Sequence, residues 1–107
     1  MLTFFGHKAM LQSTDDEKGG GFMEKILIVE DEFAISQVLK AYLTKGQFLT
    51  EQAYTGTEAI MKFHSWHPDL VLLDVMLPEK NGWDILAEIR KTSNCPVIML
   101  TALGDVN

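Results

Sequence analysis

Acidic residues directly follow two runs of apolar residues. Residues 30–32 (Glu-Asp-Glu) follow the apolar residues 26–29, and Asp74 follows the apolar residues 70–73. A continuous Val/Ile/Leu run is typical of a strand buried on both faces of a parallel sheet. An unpaired charge is costly inside a core, so we expect these acids at the carboxyl ends of their strands, where open α/β sheets bind ligands. The alternative for Asp74 is an acid that caps a turn or a helix.

Carboxylates that converge in one cleft repel each other. Glu30, Asp31 and Asp74 would have to be neutralised, stay protonated or bind a cation. Oxygen ligands of this kind suit Mg²⁺, which is usually held by one or two carboxylates together with phosphate oxygens. A carboxylate in such a site can also attack phosphorus and form an aspartyl phosphate. The hydroxyl of Thr101, at the end of another apolar run, could then bind a phosphoryl oxygen.

The elements that would position these acids follow from apolar periodicity. Strands are predicted at residues 26–29, 48–54, 70–73 and 95–102, and helices at residues 33 to about 46, 55–67 and 83–90. Strict alternation of strands and helices with short connections predicts an α/β fold, a doubly wound parallel sheet with helices on both faces. Right-handed crossovers place the carboxyl ends of the strands together. This raises the functional interpretation of Asp74 above the capping alternative.

The composition limits the classes of function. The chain has 107 residues, of which 47% are hydrophobic, and this is enough for one domain with a core. The formal net charge of -6 argues against binding of nucleic acid or an anionic membrane by this segment. The single cysteine, Cys95, excludes an internal disulfide and suits a reducing cytosol. No apolar run is long enough to cross a bilayer.

Residues 1–22 differ from the rest of the chain. The stretch "STDDEKGGGF" is polar and glycine-rich, which is typical of a linker or disordered segment. The letters "KGGGF" directly before Met23 could be encoded by a purine-rich ribosome-binding sequence, so Met23 is a candidate for the natural start. We therefore expect a disordered or wrongly assigned extension at residues 1–22 and a domain at residues 23–107. The alternative is that residues 1–11 cover an exposed side of the core.

Residues 23–107 resemble the receiver domain of two-component response regulators. The resemblance is carried by "ILIVEDE", "PDLVLLDVMLPEKNGW" and "CPVIMLTA", in that order and at that spacing. It implies a flavodoxin-like sheet of strand order 2-1-3-4-5. It also implies a phosphoacceptor that depends on Mg²⁺ and acts in signalling, rather than an enzyme that turns over a substrate.

The resemblance assigns a role to each residue that matches the family pattern. Asp74 matches the aspartate that takes a phosphoryl group from a sensor histidine kinase. Asp31 matches a direct metal ligand, and Glu30 matches an acid that acts on the metal through water. Met76 matches the position whose backbone carbonyl completes the metal site. Thr101 matches the switch hydroxyl that moves to the phosphoryl group.

The resemblance also implies a biological setting. The partner would be a sensor histidine kinase in the cytoplasm, and the output would be transcription. The sequence of these motifs is most similar to that of receivers that precede a winged-helix DNA-binding domain, so DNA would be bound by a domain outside this segment. Formation of a homodimer by the full-length protein is left open.

The family pattern continues beyond the residues present here. It contains a further helix, a fifth strand and a last helix, with a phosphate-binding lysine at the end of that strand. An incomplete receiver would leave residues 97–100 as an unpaired apolar edge, a template for aggregation. The alternative function is a fragment that docks a kinase or sibling regulator without switching. A metal-dependent phosphatase is disfavoured, because Met76 stands where that chemistry typically has a second acid.

Overall fold

The computed structural model describes residues 2–5 and 23–100 of the chain. Its strands are β1 (Leu2–Phe5), β2 (Lys25–Val29), β3 (Leu49–Ala53), β4 (Leu70–Asp74) and β5 (Val97–Leu100). Its helices are α1 (Phe33–Lys45), α2 (Gly56–Trp66) and α3 (Gly82–Arg90). The four strands and three helices predicted from periodicity at residues 26–102 are therefore present in the predicted order.

The strands form one five-stranded sheet of order β1-β5-β4-β2-β3. The pairs β2–β3, β2–β4 and β4–β5 are parallel. Strands β2 to β5 thus follow the order 2-1-3-4, counted within that parallel set. This arrangement confirms the predicted doubly wound sheet, in which the chain reverses direction across the sheet beside β2.

The edge of β5 differs from the expectation. Strand β1 pairs with it in the antiparallel direction, from Leu2 opposite Leu100 to Phe5 opposite Val97. The expectation of an unpaired edge at residues 97–100 is therefore wrong. Residues 2–5 of the N-terminal extension form this strand, and the remainder of residues 1–22 lies outside the described residues, so a disordered or wrongly assigned extension stays a prediction. Leu2–Phe5 can satisfy the edge because every residue other than proline carries a backbone donor and a backbone acceptor.

One face of the sheet is covered by α2 and α3, and we call it the α2/α3 face. Its buried strand residues are Leu27, Val29, Ala53, Val71, Leu73, Val97 and Met99. Ala59 and Phe63 of α2 pack on this face, together with Ile85 and Ile89 of α3. The helical spacing of these residues in the sequence placed them on inward-facing stripes, as predicted.

The opposite face, which we call the α1 face, is covered by α1. Its buried strand residues are Ile26, Ile28, Leu70 and Leu72, and the partly buried Leu39, Leu43, Phe48, Ile98 and Leu100 pack against them. Helix α1 also presents large exposed apolar side chains, namely Phe33, Ile35, Val38 and Tyr42. Within the described part of the chain, α1 therefore has more apolar surface than the sheet covers.

Side-chain caps fix the starts of the two helices on the α2/α3 face. The Thr55 hydroxyl accepts from the Glu58 amide at 3.1 Å at the start of α2. The Asn81 side chain accepts from the Asp84 amide at 3.0 Å at the start of α3. Such caps satisfy backbone donors that a first helical turn leaves unpaired. Among the helices described, none is long and apolar enough to span a bilayer.

Candidate functional site

Three acids converge at the carboxyl ends of β2 and β4. Each of Glu30, Asp31 and Asp74 contributes a carboxylate oxygen, and these oxygens all lie within 4.8 Å of one another. The strand pairing explains the convergence, because Val29 lies opposite Leu73, so that Glu30 and Asp74 come next at the same end of two neighbouring parallel strands. The sequence predicted this cluster correctly, while the roles of its members stay predictions.

Glu30 is the buried member of the cluster, with 5% of its surface exposed. Its carboxylate accepts from the backbone N–H of Glu32 at 3.1 Å, which favours the charged form. Burial acts more strongly in the other direction, and the charges of Asp74 and Asp31 add to it. Together with a hydrogen bond to Asp74, these effects raise the pKa of Glu30 to about 7. Without a cation, the cluster is therefore only partly ionised near neutral pH.

Asp74 is half-buried and begins the loop that leads to α3. The backbone N–H of Met76 donates to Asp74 Oδ1 at 3.0 Å, so the loop itself orients this carboxylate. The side chain of Met76 is exposed. The family resemblance assigned a role to the carbonyl of Met76, whereas the contact found here is made by its amide. Metal ligation by the carbonyl stays a prediction.

Gly82 closes the loop by an approach that leaves no space for a side chain. Its N–H donates to the carbonyl of Val75 at 2.8 Å. A Cβ atom at this position would lie 2.5 Å from the Asp74 carbonyl oxygen and 2.9 Å from the Val75 Cα. The first turn of α3 therefore packs directly against the backbone that carries Asp74. No pattern in the sequence signals this contact between Gly82 and the site.

A contact that sequence reasoning missed joins the site to β5. The Val75 N–H donates to the carbonyl of Leu100 at 3.1 Å, and Asp74 lies opposite Leu100 in the sheet. No local pattern signals this contact, because it depends on which strands are neighbours. Thr101 follows Leu100 directly in the sequence and lies outside the described residues. Its role as a switch hydroxyl stays a prediction.

The donor set fits Mg²⁺. Hard carboxylate oxygens are the ligands that this ion prefers, and it is commonly held by one or two of them together with water and phosphate oxygens. A cation among these three acids would also relieve the repulsion that contributes to the raised pKa of Glu30. Glu30, Asp31 and Asp74 are the only group of three or more potential metal-binding side chains found among residues 23–100.

Comparisons with known proteins agree with this geometry. Residues 26–107 match the model of the response regulator receiver domain. The chain is 47% identical over 83 residues to a protein named "Probable transcriptional regulator ycf27" from Guillardia theta, covering 78% of this chain and 33% of that protein. It is 46% identical over 83 residues to a CpxR homolog from Haemophilus influenzae, described as a transcriptional regulatory protein, covering 78% and 36%.

A solved structure of a response regulator in complex with Mg²⁺-BeF is also similar. The response regulator TrrA from Thermotoga maritima, in complex with Mg²⁺ and BeF, superposes with a TM-score of 0.65 at 39% identity. That match covers 66% of this chain and 62% of the other. The chain spans about a third of the length of the curated relatives named above. With the sheet order and the acid cluster, the family match shows that this chain belongs to the response regulator receiver domain family.

Proposed function

We propose that this receiver accepts a phosphoryl group on Asp74 from the phosphohistidine of a sensor histidine kinase. The observation that supports the proposal most strongly is the convergence of Glu30, Asp31 and Asp74 within 4.8 Å at the carboxyl end of the sheet. Such a cluster is suited to a cation and to an incoming phosphate, and poorly suited to an anion without the cation.

Asp74 is the member of the cluster best suited to be the nucleophile. It is half-buried, so it can be reached from solvent, and the Met76 amide holds one of its carboxylate oxygens in place. Glu30 is buried, and its pKa is raised to about 7, so it is a weaker candidate for a permanently charged nucleophile. Asp31 is exposed in the connection between β2 and α1 and is proposed as a direct metal ligand.

The proposed transfer is a displacement at phosphorus, in which Asp74 replaces the kinase histidine. A carboxylate oxygen of Asp74 forms a bond to phosphorus, the P–N bond of the kinase phosphohistidine breaks, and the histidine nitrogen keeps the electron pair and takes up a proton. Glu30, Asp31 and Asp74, with the carbonyl of Met76, would hold Mg²⁺, which supplies positive charge that offsets the charge of the transferring group. Thr101 is proposed to bind a phosphoryl oxygen afterwards.

We further propose that phosphorylation controls transcription in the cytoplasm. This rests on the relatives, which are named as transcriptional regulators and of which this chain matches about a third. Phosphorylation would shift the receiver between two conformations, and an output domain elsewhere in the protein would respond to the shift. DNA binding is assigned to that output domain because the chain itself has a net charge of -6.

Intact-protein mass spectrometry tests the proposed phosphorylation. The full chain is incubated with Mg²⁺ and acetyl phosphate, beside the variants Asp74→Asn and Asp84→Asn. Asp84 is an exposed acid in the first turn of α3 and lies outside the acid cluster, so it controls for a nearby loss of charge. We expect one added phosphoryl group in the wild type and in Asp84→Asn, and none in Asp74→Asn or after removal of Mg²⁺ with EDTA.

Two results would contradict the proposal. Uptake by Asp74→Asn equal to that of the wild type would place the modification on another residue. A folded wild-type chain that takes up no phosphate but binds a kinase would favour the docking-only fragment. Circular dichroism on the same samples separates that outcome from a failure to fold.

A further inference from the structure

The edge of β5 is paired with β1, which is antiparallel to it, whereas the other strand pairs of the sheet are parallel. Strand β1 lies antiparallel to β5 over four residue pairs, and its connection to β2 is 19 residues long, from residue 6 to residue 24. An edge strand presents backbone donors and acceptors that accept another extended segment. In this chain the accepted segment is its own N-terminal sequence, Leu-Thr-Phe-Phe.

The backbone of this edge can be oriented from the hydrogen bonds on its other side. On the side that faces β4, the Pro96 carbonyl accepts from the Val71 N–H at 3.0 Å. The Leu100 carbonyl accepts from the Val75 N–H at 3.1 Å on the same side. The amide and carbonyl of one strand residue point to the same side, and neighbouring residues alternate. Met99 therefore directs its N–H and carbonyl towards β1, where its partner is Thr3.

The pairing of β1 with β5 is connected to the acid cluster by one row of residues that lie opposite each other across neighbouring strands. Leu2 lies opposite Leu100, and Leu100 lies opposite Asp74. The Leu100 carbonyl accepts from Val75, the residue between Asp74 and Met76, and the Met76 amide orients the Asp74 carboxylate. The end of β5 is thus held between β1 and the loop that presents the proposed phosphorylation site.

We propose that the edge of β5 is a strand-acceptor site, that Leu2–Phe5 is its intramolecular ligand, and that its occupancy positions the Val75 backbone beside Asp74. β1 is then a positioning element that acts on the site through β5. The inference rests on the proposed function only where phosphoryl uptake is measured, because backbone protection is an independent readout.

The length of the connection favours binding within one chain. Phe5 of β1 pairs with Val97 at the amino end of β5, and Lys25 lies at the amino end of β2. In the sheet, β2 lies three strand positions from β1. That separation is about 14 Å at the usual spacing between strands. The connecting residues can span up to roughly 60 Å when extended. A tether of this length keeps its strand at an effective concentration on the order of millimolar, so a second copy competes poorly in dilute solution.

Two proline variants of the full chain test the site. The Thr3 N–H faces β5, so Thr3→Pro removes a ladder hydrogen bond, whereas the Phe4 N–H faces away and Phe4→Pro spares the ladder. Phe4→Pro nevertheless removes the larger apolar side chain. We expect Thr3→Pro to accelerate amide exchange at Met99 and Val75 about tenfold, with a much smaller change in Phe4→Pro. Nonspecific apolar collapse would give the reverse order and would overturn the proposal.

Phosphoryl uptake supplies the second readout. We expect Thr3→Pro to slow uptake several-fold at saturating Mg²⁺. Ile60→Ala is the control for general loss of stability, since Ile60 packs on the α2/α3 face from α2, which contacts β2, β3 and α3. Equal slowing in Ile60→Ala at matched stability would overturn the positioning role. If the wild type takes up no phosphate, the proposed function fails while the exchange data still decide the strand-acceptor site.

A dilution series identifies the molecule that supplies the strand. Protection of Met99 that is independent of protein concentration supports the intramolecular strand. Protection that is lost on dilution, together with a dimer by light scattering, would overturn it in favour of strand exchange between two copies. Wild-type protection no greater in the full chain than in a chain that starts at Met23 would also overturn the proposal.

Discussion

The two faces of the sheet are built from similar strand residues but are covered differently. On the α2/α3 face, two helices contact each other and bury aliphatic side chains completely, for example Ile85 at 0% exposed. On the α1 face, α1 fully buries only one of its own residues, Ser36. Tyr42 of the same helix is 72% exposed. Apolar composition alone therefore does not determine burial, because each apolar stripe also needs a partner surface.

The difference has a chemical consequence for the site. Gly82 at the start of α3 packs against the backbone of Asp74, so the well-packed face holds the proposed nucleophile in place. The α1 face ends near the same site through Leu100, which is only partly buried. Tighter packing on one side and looser packing on the other suit the proposed function, in which the domain holds a reactive group and also changes conformation.

The largest expected effect is on global stability and compares the two faces directly. Ile85→Ala removes a completely buried side chain from α3, so we expect the free energy of unfolding to fall by about 2–5 kcal/mol. Leu43→Ala removes a partly buried side chain from the α1 face, and we expect a loss of about 1 kcal/mol. Urea unfolding followed by circular dichroism measures both. Equal losses would contradict the proposed difference between the faces.

A smaller effect is expected where the α2/α3 face meets the site. In Gly82→Ala the new Cβ would clash with the Asp74 carbonyl, so the loop or α3 must shift at a cost of about 1–3 kcal/mol. We also expect Mg²⁺ to protect this variant less against thermal unfolding. Gly46→Ala is the matched control, because its Cβ would meet the movable ring of Phe48 at 3.3 Å. Similar losses of Mg²⁺ protection in both variants would argue against a specific role for Gly82.

The acid cluster at the carboxyl ends of β2 and β4 should make stability depend on pH. The folded pKa of Glu30 is raised from 4.5 to about 7, so the folded state binds the proton more tightly than the unfolded state. Stability in EDTA should therefore be highest below about pH 4.5, as far as this group is concerned, and fall as the pH rises through about 7. Glu30→Gln should remove this fall, which is on the order of 1–3 kcal/mol.

Thermal unfolding at pH 5 and pH 8 measures the contribution of Glu30. Glu79→Gln, at an exposed position in the loop before α3, serves as the control and should keep the wild-type dependence on pH. Added Mg²⁺ should restore stability at pH 8 in the wild type. A wild-type fall that persists unchanged in Glu30→Gln would assign the dependence to another group.

The smallest effect on stability is expected on the exposed side of α1. Tyr42→Lys replaces an exposed ring with a charged side chain of high helix propensity, so we expect stability to change by no more than about 0.5 kcal/mol. The variant should also self-associate less at high concentration, because the exposed apolar patch is interrupted. Analytical ultracentrifugation and urea unfolding measure the two properties. A large loss of stability would mean that Tyr42 is packed in solution.

The sequence was sufficient for the parallel sheet, the helices of the α2/α3 face and the convergence of the acids. Residues 70–73 formed a continuous apolar run and are buried, and Ala59 and Phe63 share a helical stripe. These features depend on local periodicity and on the handedness of crossovers, both of which are encoded over short distances.

The sequence could not predict in the same way which side of α1 is buried or which segment pairs with the edge of β5. Ser36 is completely buried and accepts from Gln52 Nε2 at 2.8 Å, whereas Val38 is exposed. Which side of an apolar helix is buried depends on neighbours far away in the sequence. The same holds for Leu2–Phe5, since the four residues Leu-Thr-Phe-Phe do not specify a pairing partner.

The antiparallel pairing of β1 also constrains the order in which the chain folds. Its partners are 92 to 98 residues apart in sequence, since Phe5 pairs with Val97 and Leu2 with Leu100. Contacts of such high sequence separation close the largest loops, and their entropic cost is met only after the intervening structure has formed. β1 is thus synthesised before β5 and is expected to pair last. Until β5 has been synthesised, Leu2–Phe5 has no strand to pair with, and the unfinished chain is prone to aggregation through this segment.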